Sequence, residues 1–191
     1  MKRVFIVHRW DGSPQADWYP WLKSELEAKG FEVYVPAMPN SDRPEIKKWV
    51  SFLKKSVKNP DAETFFVGHS IGCQTIIRYL SSLKLQVGGV VFVAGFFKLT
   101  GLESDEEKSI AQPWLETEIK VDKAKQNIGK SVAIFSDDDP YVPMINMKLF
   151  KDDLGSDIII EGHKGHFTFR DGATQLPIVR DEMLKMAKEG N

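Results

Sequence analysis

One cysteine, Cys73, stands among the 191 residues, so no intrachain disulfide can form and a disulfide-stapled secreted design is excluded. Charge of one sign is also missing. Lys plus Arg number 26 against 27 Asp plus Glu, and so balanced a chain carries no field to draw in nucleic acid or an acidic membrane. The pairs Lys47-Lys48 and Lys54-Lys55 fall among acids in a predicted helix and read as its solvated face. Long hydrophobic runs are absent too. The apolar stretch after Met1-Lys2-Arg3 stops at Val7, too short for a signal-peptide core, and nothing approaches membrane-spanning length. The expectation is a cytoplasmic protein with no nucleic-acid or membrane partner.

What is present is a chain with 42% hydrophobic side chains, enough for one well-packed domain over 1–191. Six short apolar runs punctuate it: Val4 to His8, Phe31 to Val35, Thr64 to Val67, Val87 to Ala94, Ser131 to Phe135 and Asp157 to Ile160. Several are apolar on both faces, as strands of a covered parallel sheet are. Helical periodicity fills most gaps. Trp18, Trp21, Leu22 and Leu26 share a face before Gly30, read as a C-terminal cap; Ile46, Trp49, Val50, Leu53 and Val57 share another, with Asp42 as N-cap. Pro143, Ile145, Leu149 and Phe150 mark a third helix, and Ile178, Val179, Met183 and Met186 the last. Strands alternating with helices predict an α/β fold: a three-layer sandwich of about six parallel strands with right-handed crossovers. The 95–130 segment breaks the rhythm. A helix near Trp114 to Ala124 plus irregular loop is predicted there, leaving the carboxyl end of the fourth strand as a small cap over the site.

The stretch that carries chemistry is Gly68-His69-Ser70-Ile71-Gly72, between an apolar strand and the helical pattern of Ile76, Ile77, Leu80 and Leu83. Gly-x-Ser-x-Gly at a strand-to-helix junction is a nucleophile elbow, a turn that lifts the serine hydroxyl above the sheet at a helix N-terminus. Side chains at Gly68 or Gly72 would collide with the neighbouring strand or helix. The alternative is a glycine-rich turn with a solvated serine. Cys73, one residue on, reads as a packing residue.

A serine hydroxyl needs a base, and the base an acceptor that fixes its tautomer. The order Ser, acid, His of α/β-hydrolases is available here. After the fifth strand comes Ser136-Asp137-Asp138-Asp139-Pro140-Tyr141-Val142-Pro143; after the sixth, Glu161-Gly162-His163-Lys164-Gly165-His166-Phe167. His166 is the preferred base, since Gly165 permits a close turn and Phe167 can anchor the loop; His163 is its rival. Asp139 is the preferred acid, just before the turn into a helix, with Asp137 and Asp138 as alternatives. His69 is expected to point away from Ser70, and His8 to shape the oxyanion loop. A metal held by His163, His166 and the aspartates lacks a completing ligand, and no metal site is expected. For the oxyanion hole the donors are the N–H groups of Ile71 and Trp10. Trp10, Phe96, Phe97 and Trp114 are expected to line a modest substrate pocket.

The chain resembles the small serine hydrolases of the retinoblastoma-binding protein 9 type over nearly its whole length. The resemblance rests on the first strand ending in His8, Trp18-Tyr19-Pro20-Trp21-Leu22-Lys23, Met38-Pro39-Asn40, Gly68-His69-Ser70, Asp138-Asp139-Pro140 with Val142-Pro143, and Gly165-His166-Phe167. It implies a triad of Ser70, Asp139 and His166, a six-stranded sheet without the leading strands of larger hydrolases, and hydrolysis of small acyl substrates without a cofactor. Two features depart from it. Arg9 stands where many hydrolases have glycine, and no Leu-x-Cys-x-Glu motif for retinoblastoma-type pocket proteins occurs, because Gln74-Thr75 follow Cys73. The expected activity is cleavage of small carboxylic esters. The alternatives are a peptidase or thioesterase with the same triad, or a non-catalytic interaction module if Arg9 closes the oxyanion hole.

Overall fold

The computed structural model describes residues 1–189. Its elements alternate as the hydropathy pattern requires: β1 (Arg3–Val7), α1 (Tyr19–Glu27), β2 (Glu32–Tyr34), α2 (Ile46–Val57), β3 (Thr64–His69), α3 (Ile71–Leu80) and β4 (Val87–Val93). Then follow α4 (Asp105–Glu116), α5 (Val121–Gln126), β5 (Ile128–Ser136), α6 (Ile145–Leu154), β6 (Asp157–Glu161), a 3₁₀ turn at Phe169–Asp171 and α7 (Pro177–Glu189). The sheet is parallel throughout, in the order β2-β1-β3-β4-β5-β6.

That order dictates the layers. The chain steps from β1 outward to β2, then returns past β1 to β3 and continues in the opposite direction. Right-handed crossovers therefore put α1 on one face and the crossover helices after β2 on the other. α1 accordingly packs with α7, while α2, α3, α5 and α6 form a contacting series. The reversal lies between β1 and β3, paired so that Val7 sits beside Gly68. Loops leaving two such strands diverge to opposite faces and open a crevice at their carboxyl ends, the place where sheets of this kind bind ligands.

The helices are amphipathic in the expected sense. α2 turns Trp49, Leu53 and Val57 into the core, at intervals of four residues, and leaves Lys47, Lys48, Lys54 and Lys55 exposed. α3 differs, since every residue from Ile71 to Leu80 is buried. It is enclosed because α2 and α5 pack along it.

Three boundaries differ from the sequence reading. The N-cap of α2 is Glu45, without a side-chain cap bond, and not Asp42, because Pro44 holds the preceding backbone out of the helical region. α1 ends with Ala28 as C-cap, and Gly30, at φ +86°, turns the chain two residues later. The connection between β4 and β5 holds two helices, α4 and α5, instead of one helix from Trp114 to Ala124. A signal for α4 was present: Ser104 and Glu107 form a reciprocal capping box. Pro113 in the last turn masks the pattern, as proline lacks the N–H that a helix interior needs.

Arg78 of α3 fastens α4 in place. Its guanidinium donates to the carbonyls of Trp114, Thr117 and Glu118 and to Gln74 Oε1, so a cation meets the negative end of the α4 dipole. Burial lowers its pKa to about 10.

Candidate active site

The elbow is built by two glycines and one strained serine. Ser70 adopts φ 53° and ψ −118°, left-handed backbone that a non-glycine residue enters only when its surroundings impose it. A Cβ on Gly68 would stand 2.8 Å from the Cys73 backbone, and one on Gly72 would stand 2.2 Å from the Val7 carbonyl oxygen. So β3, α3 and β1 meet at backbone contact, and the expected collisions are with the helix at Gly68 and with the strand at Gly72. The Ser70 N–H donates to Val93 O at 2.9 Å, pinning the elbow to β4. Its hydroxyl bonds to no described residue. Every buried polar side-chain atom of the described residues has a partner, so this oxygen lies at the surface. Cys73 is different: its thiol is fully buried, donates to Val93 O, and is pushed far above its usual pKa by desolvation.

Three adjacent aspartates have three different partners. Asp139 Oδ2 accepts from His166 Nδ1 at 2.8 Å, and Oδ1 accepts the N–H groups of Tyr141 and Val142. Its side chain is 2% exposed. Asp138 accepts the Gly165 N–H and the Ser136 hydroxyl, and Asp137 accepts the His163 N–H. The pairing of Ser136 with Glu161 at the ends of β5 and β6 sets these two loops side by side. Asp137, Asp138 and His163 have ligand atoms within 4.8 Å of one another, but all three are exposed and both carboxylates already hold backbone N–H groups. His166 is not among them.

His166 sits in a turn shaped for it. Gly165 takes φ +50°, and a Cβ there would lie 2.4 Å from Asp171 Oδ1. Asp171 accepts the N–H groups of His166 and Thr168. Phe167 is fully buried, and its carbonyl accepts from Trp18 Nε1. With Nδ1 donating to Asp139, Nε2 is the basic nitrogen, and it too bonds to no described residue and so reaches the surface. The ring lies 5.3 Å from that of His69, the neighbour of Ser70. His163, by contrast, has a side chain 89% exposed.

The loop after β1 supplies the opposing wall. Asp11 N–H donates to Ser41 O, Gly12 N–H to Arg9 O and Arg9 N–H to Tyr19 Oη, which leaves the Trp10 N–H without an acceptor among the described residues. Ile71, first residue of α3, has no intrahelical acceptor for its N–H either. Arg9 needs no glycine conformation, since the positive φ in this loop falls at Asp11. Its guanidinium instead braces the loop, donating to the Trp10 and Asp11 carbonyls and pairing with Asp17 at 2.8 Å. His8 supports it from beneath, with Nδ1 donating to Arg9 O and Nε2 accepting the Met38 N–H.

Of the four residues expected to line a pocket, two do not. Phe96 is 2% exposed and Trp114 is 1% exposed, the latter edge-on to Trp49 and donating to Pro44 O. Trp114 became core because α4 sets its ring against Trp49 of α2, and Phe96 lies directly beyond β4, its carbonyl held by Gln74 Nε2 of α3. Trp10 and Phe97 keep partial exposure, Trp10 held by Nε1 donating to Asp42 O and Phe97 packed on Phe150. Tyr141 was missed. It is 40% exposed and edge-on to His166, with ring centroids 5.2 Å apart. A hollow of about 400 Å³ lies at the opposite edge of the sheet, where Ile128 and Asp157 begin β5 and β6, and has no part in this arrangement.

Two buried histidines make stability depend on pH. Desolvation lowers the pKa of His69 well below the usual imidazole value and lowers that of His8. Below about pH 6.5 the unfolded imidazoles bind protons that the folded ones refuse, so stability is present above that pH and lost as pH falls. The expected slope is up to about 1.4 kcal/mol per pH unit for each histidine. Urea midpoints at pH 7.5 and 5.5 check this; an unchanged or higher midpoint at pH 5.5 contradicts it.

Comparison with known proteins agrees with the fold. A serine hydrolase family model matches residues 4–185. The putative hydrolase YdeN of Bacillus subtilis is 33% identical over 183 residues, covering 94% of this chain and 93% of that one. Its crystal structure superposes with a TM-score of 0.88 at 29% identity, covering 97% and 98% of the two chains. Serine hydrolase RBBP9 of Rattus norvegicus is 26% identical over 152 residues, 78% of this chain and 77% of that one. Est1E from Butyrivibrio proteoclasticus, solved with ferulic acid, shares the fold at a TM-score of 0.75 and 13% identity, over 97% and 89% of the chains. An α/β-hydrolase sheet, an elbow serine and a match spanning nearly every element leave one assignment: the chain belongs to the serine hydrolase family.

Proposed function

We propose that this hydrolase cleaves small carboxylic esters through an acyl-enzyme, with Ser70 as nucleophile, His166 as base and Asp139 as the acid that orients it. The observation that carries the reading is the 2.8 Å bond from His166 Nδ1 to a carboxylate whose side chain is 2% exposed. That bond fixes the tautomer with Nε2 free to take a proton. His166 removes the Ser70 proton as Oγ attacks the ester carbonyl, and the carbonyl electron pair moves to oxygen. The Trp10 and Ile71 N–H groups receive that charge. Collapse breaks the bond to the alcohol, which leaves with the proton from His166. Water, deprotonated by the same nitrogen, then attacks the acyl carbon, and Ser70 departs reprotonated with release of the acid.

Tyr141, Trp10 and Phe97 supply partly exposed aromatic surface and support a preference for short or apolar acyl groups. We place Phe97, the start of the 95–130 segment, on the border of that site. The test is labelling with a fluorophosphonate probe beside turnover of p-nitrophenyl acetate, a matched thioester and a peptide. Labelling that disappears in Ser70→Ala, with ester turnover fastest, is the expected result. A folded wild-type protein that stays unlabelled overturns the reading, and preferred peptide or thioester turnover replaces the substrate class.

A further inference from the structure

Behind the elbow runs a buried chain of hydrogen bonds that the proposed reaction steps do not use. The Arg9 N–H donates to Tyr19 Oη at 3.2 Å, Tyr19 Oη lies 2.7 Å from His69 Nδ1, and His69 Nε2 lies 2.8 Å from the His166 carbonyl oxygen. The carbonyl end settles its polarity. A carbonyl can only accept, so His69 Nε2 carries the hydrogen, and in the neutral ring the bare Nδ1 accepts the Tyr19 hydroxyl proton while Tyr19 Oη accepts from the Arg9 N–H. The neutral form satisfies every group. A protonated ring would offer a hydrogen at Nδ1 and turn the Tyr19 hydroxyl hydrogen away from it, toward the Asp17 carboxylate. Both side chains are wholly buried, and burial holds His69 in that neutral form.

The same short stretch makes two further ties. Asp17, its side chain fully buried, takes the Arg9 guanidinium on both oxygens, at 2.8 and 3.5 Å, and the Phe169 N–H on Oδ1. Trp18 Nε1 donates to Phe167 O at 3.1 Å. Asp17, Trp18 and Tyr19 thus join the oxyanion loop to the loop carrying His166, and His69 joins both to the elbow. Each tie ends one residue or a few from a group the chemistry needs: Arg9 beside Trp10, His69 beside Ser70, and His166 itself.

We propose that Tyr19 and His69 are positioning residues, a neutral relay that holds the Trp10 N–H, Ser70 and His166 in mutual register. This rests on the serine hydrolase reading above. Neither side chain is accessible to substrate, so their loss acts on kcat and leaves KM alone. Tyr19→Phe strips partners from both the Arg9 N–H and His69 Nδ1 and frees His69 to change tautomer. Misalignment on the scale of an ångström costs on the order of 100-fold in rate, so a fall of about 10- to 100-fold in kcat is expected.

The decisive pair is at position 69. In His69→Gln, an amide oxygen can accept from Tyr19 and an amide nitrogen can donate to His166 O, reproducing the relay without an imidazole. In His69→Leu neither bond exists. With p-nitrophenyl acetate, His69→Gln is expected within about fivefold of wild type and His69→Leu down by about 10- to 100-fold, KM unchanged within about twofold in both. Near-wild-type kcat in folded His69→Leu, or equal losses in the two variants, overturns the proposal. Should His69→Leu fail to fold, Tyr19→Phe carries the same test, and near-wild-type kcat there overturns it. Nitrogen-15 NMR of the wild-type protein gives a readout independent of turnover: His69 is expected with Nε2 protonated and Nδ1 bare. The opposite tautomer overturns the relay even if the ester reading holds, whereas absent wild-type turnover with the expected tautomer overturns the ester reading alone.

Discussion

Asp139→Asn is expected to lower kcat for ester hydrolysis by about 10⁴-fold with KM little changed. The size follows from the two oxygens of that carboxylate. Oδ1 accepts two backbone N–H groups, from Tyr141 and Val142, so an asparagine would keep its carbonyl there. Its amide nitrogen would then face His166 Nδ1, now at 2.8 Å from Oδ2. Two donors cannot face each other, so Nδ1 would have to accept, and the ring proton would move to Nε2. A base already protonated at Nε2 cannot take the proton of Ser70. Asp138→Asn is the control. A single oxygen, Oδ1, accepts from both Ser136 and Gly165, and an amide carbonyl replaces it, so a loss of only a few-fold is expected. Steady-state turnover of p-nitrophenyl acetate decides between them. Equal losses, or more than a tenth of wild-type activity in Asp139→Asn, would move the acid elsewhere.

The largest effect on stability is expected from Gly72→Ala. The added methyl would stand 2.2 Å from the Val7 carbonyl oxygen and 2.9 Å from that of His8. Neither neighbour is a flexible side chain. Val7 is hydrogen-bonded in β1, between β2 and β3, so relief requires moving α3 away from the sheet. Overpacking against fixed backbone costs several kcal/mol; about 4 kcal/mol would lower Tm by roughly 10 °C in a chain of this size. Gly30→Ala provides the comparison. Nothing lies within 4 Å of that position, and only its φ of +86° resists a side chain, at about 1 kcal/mol. Thermal unfolding followed by circular dichroism separates the cases, and comparable Tm values for the two variants would contradict the close approach at the elbow.

Arg9 shows how a departure from a familiar pattern is resolved in space. In place of a glycine's freedom, the loop has an arginine that grips its own carbonyls and Asp17, while Asp11 takes the left-handed backbone. The Trp10 N–H remains available as a result. Phe96 and Trp114 show the converse. Large aromatics near a sheet edge are equally suited to a pocket or a core; both are buried here, Trp114 against Trp49 of α2.

Local rules were enough for much of this protein. Short apolar runs marked six strands and a period near 3.6 residues most helices, because strands of a covered parallel sheet bury both faces and a helix buries one. Gly68 to Gly72 announced the elbow, since backbone that close to a strand tolerates no side chain. The order of Ser70, an aspartate loop and a histidine loop was equally visible. Spacing favoured Asp139 as the partner of His166 but left Asp137 and Asp138 open, because all three share one turn and differ in the direction each side chain takes. The sequence could not disclose the chain from Arg9 through Tyr19 and His69 to His166, whose members lie 10, 50 and 97 residues apart. Hydrogen bonds of that span exist only after parallel pairing has brought the ends of β1, β3 and β6 to one edge of the sheet, where α1 reaches them.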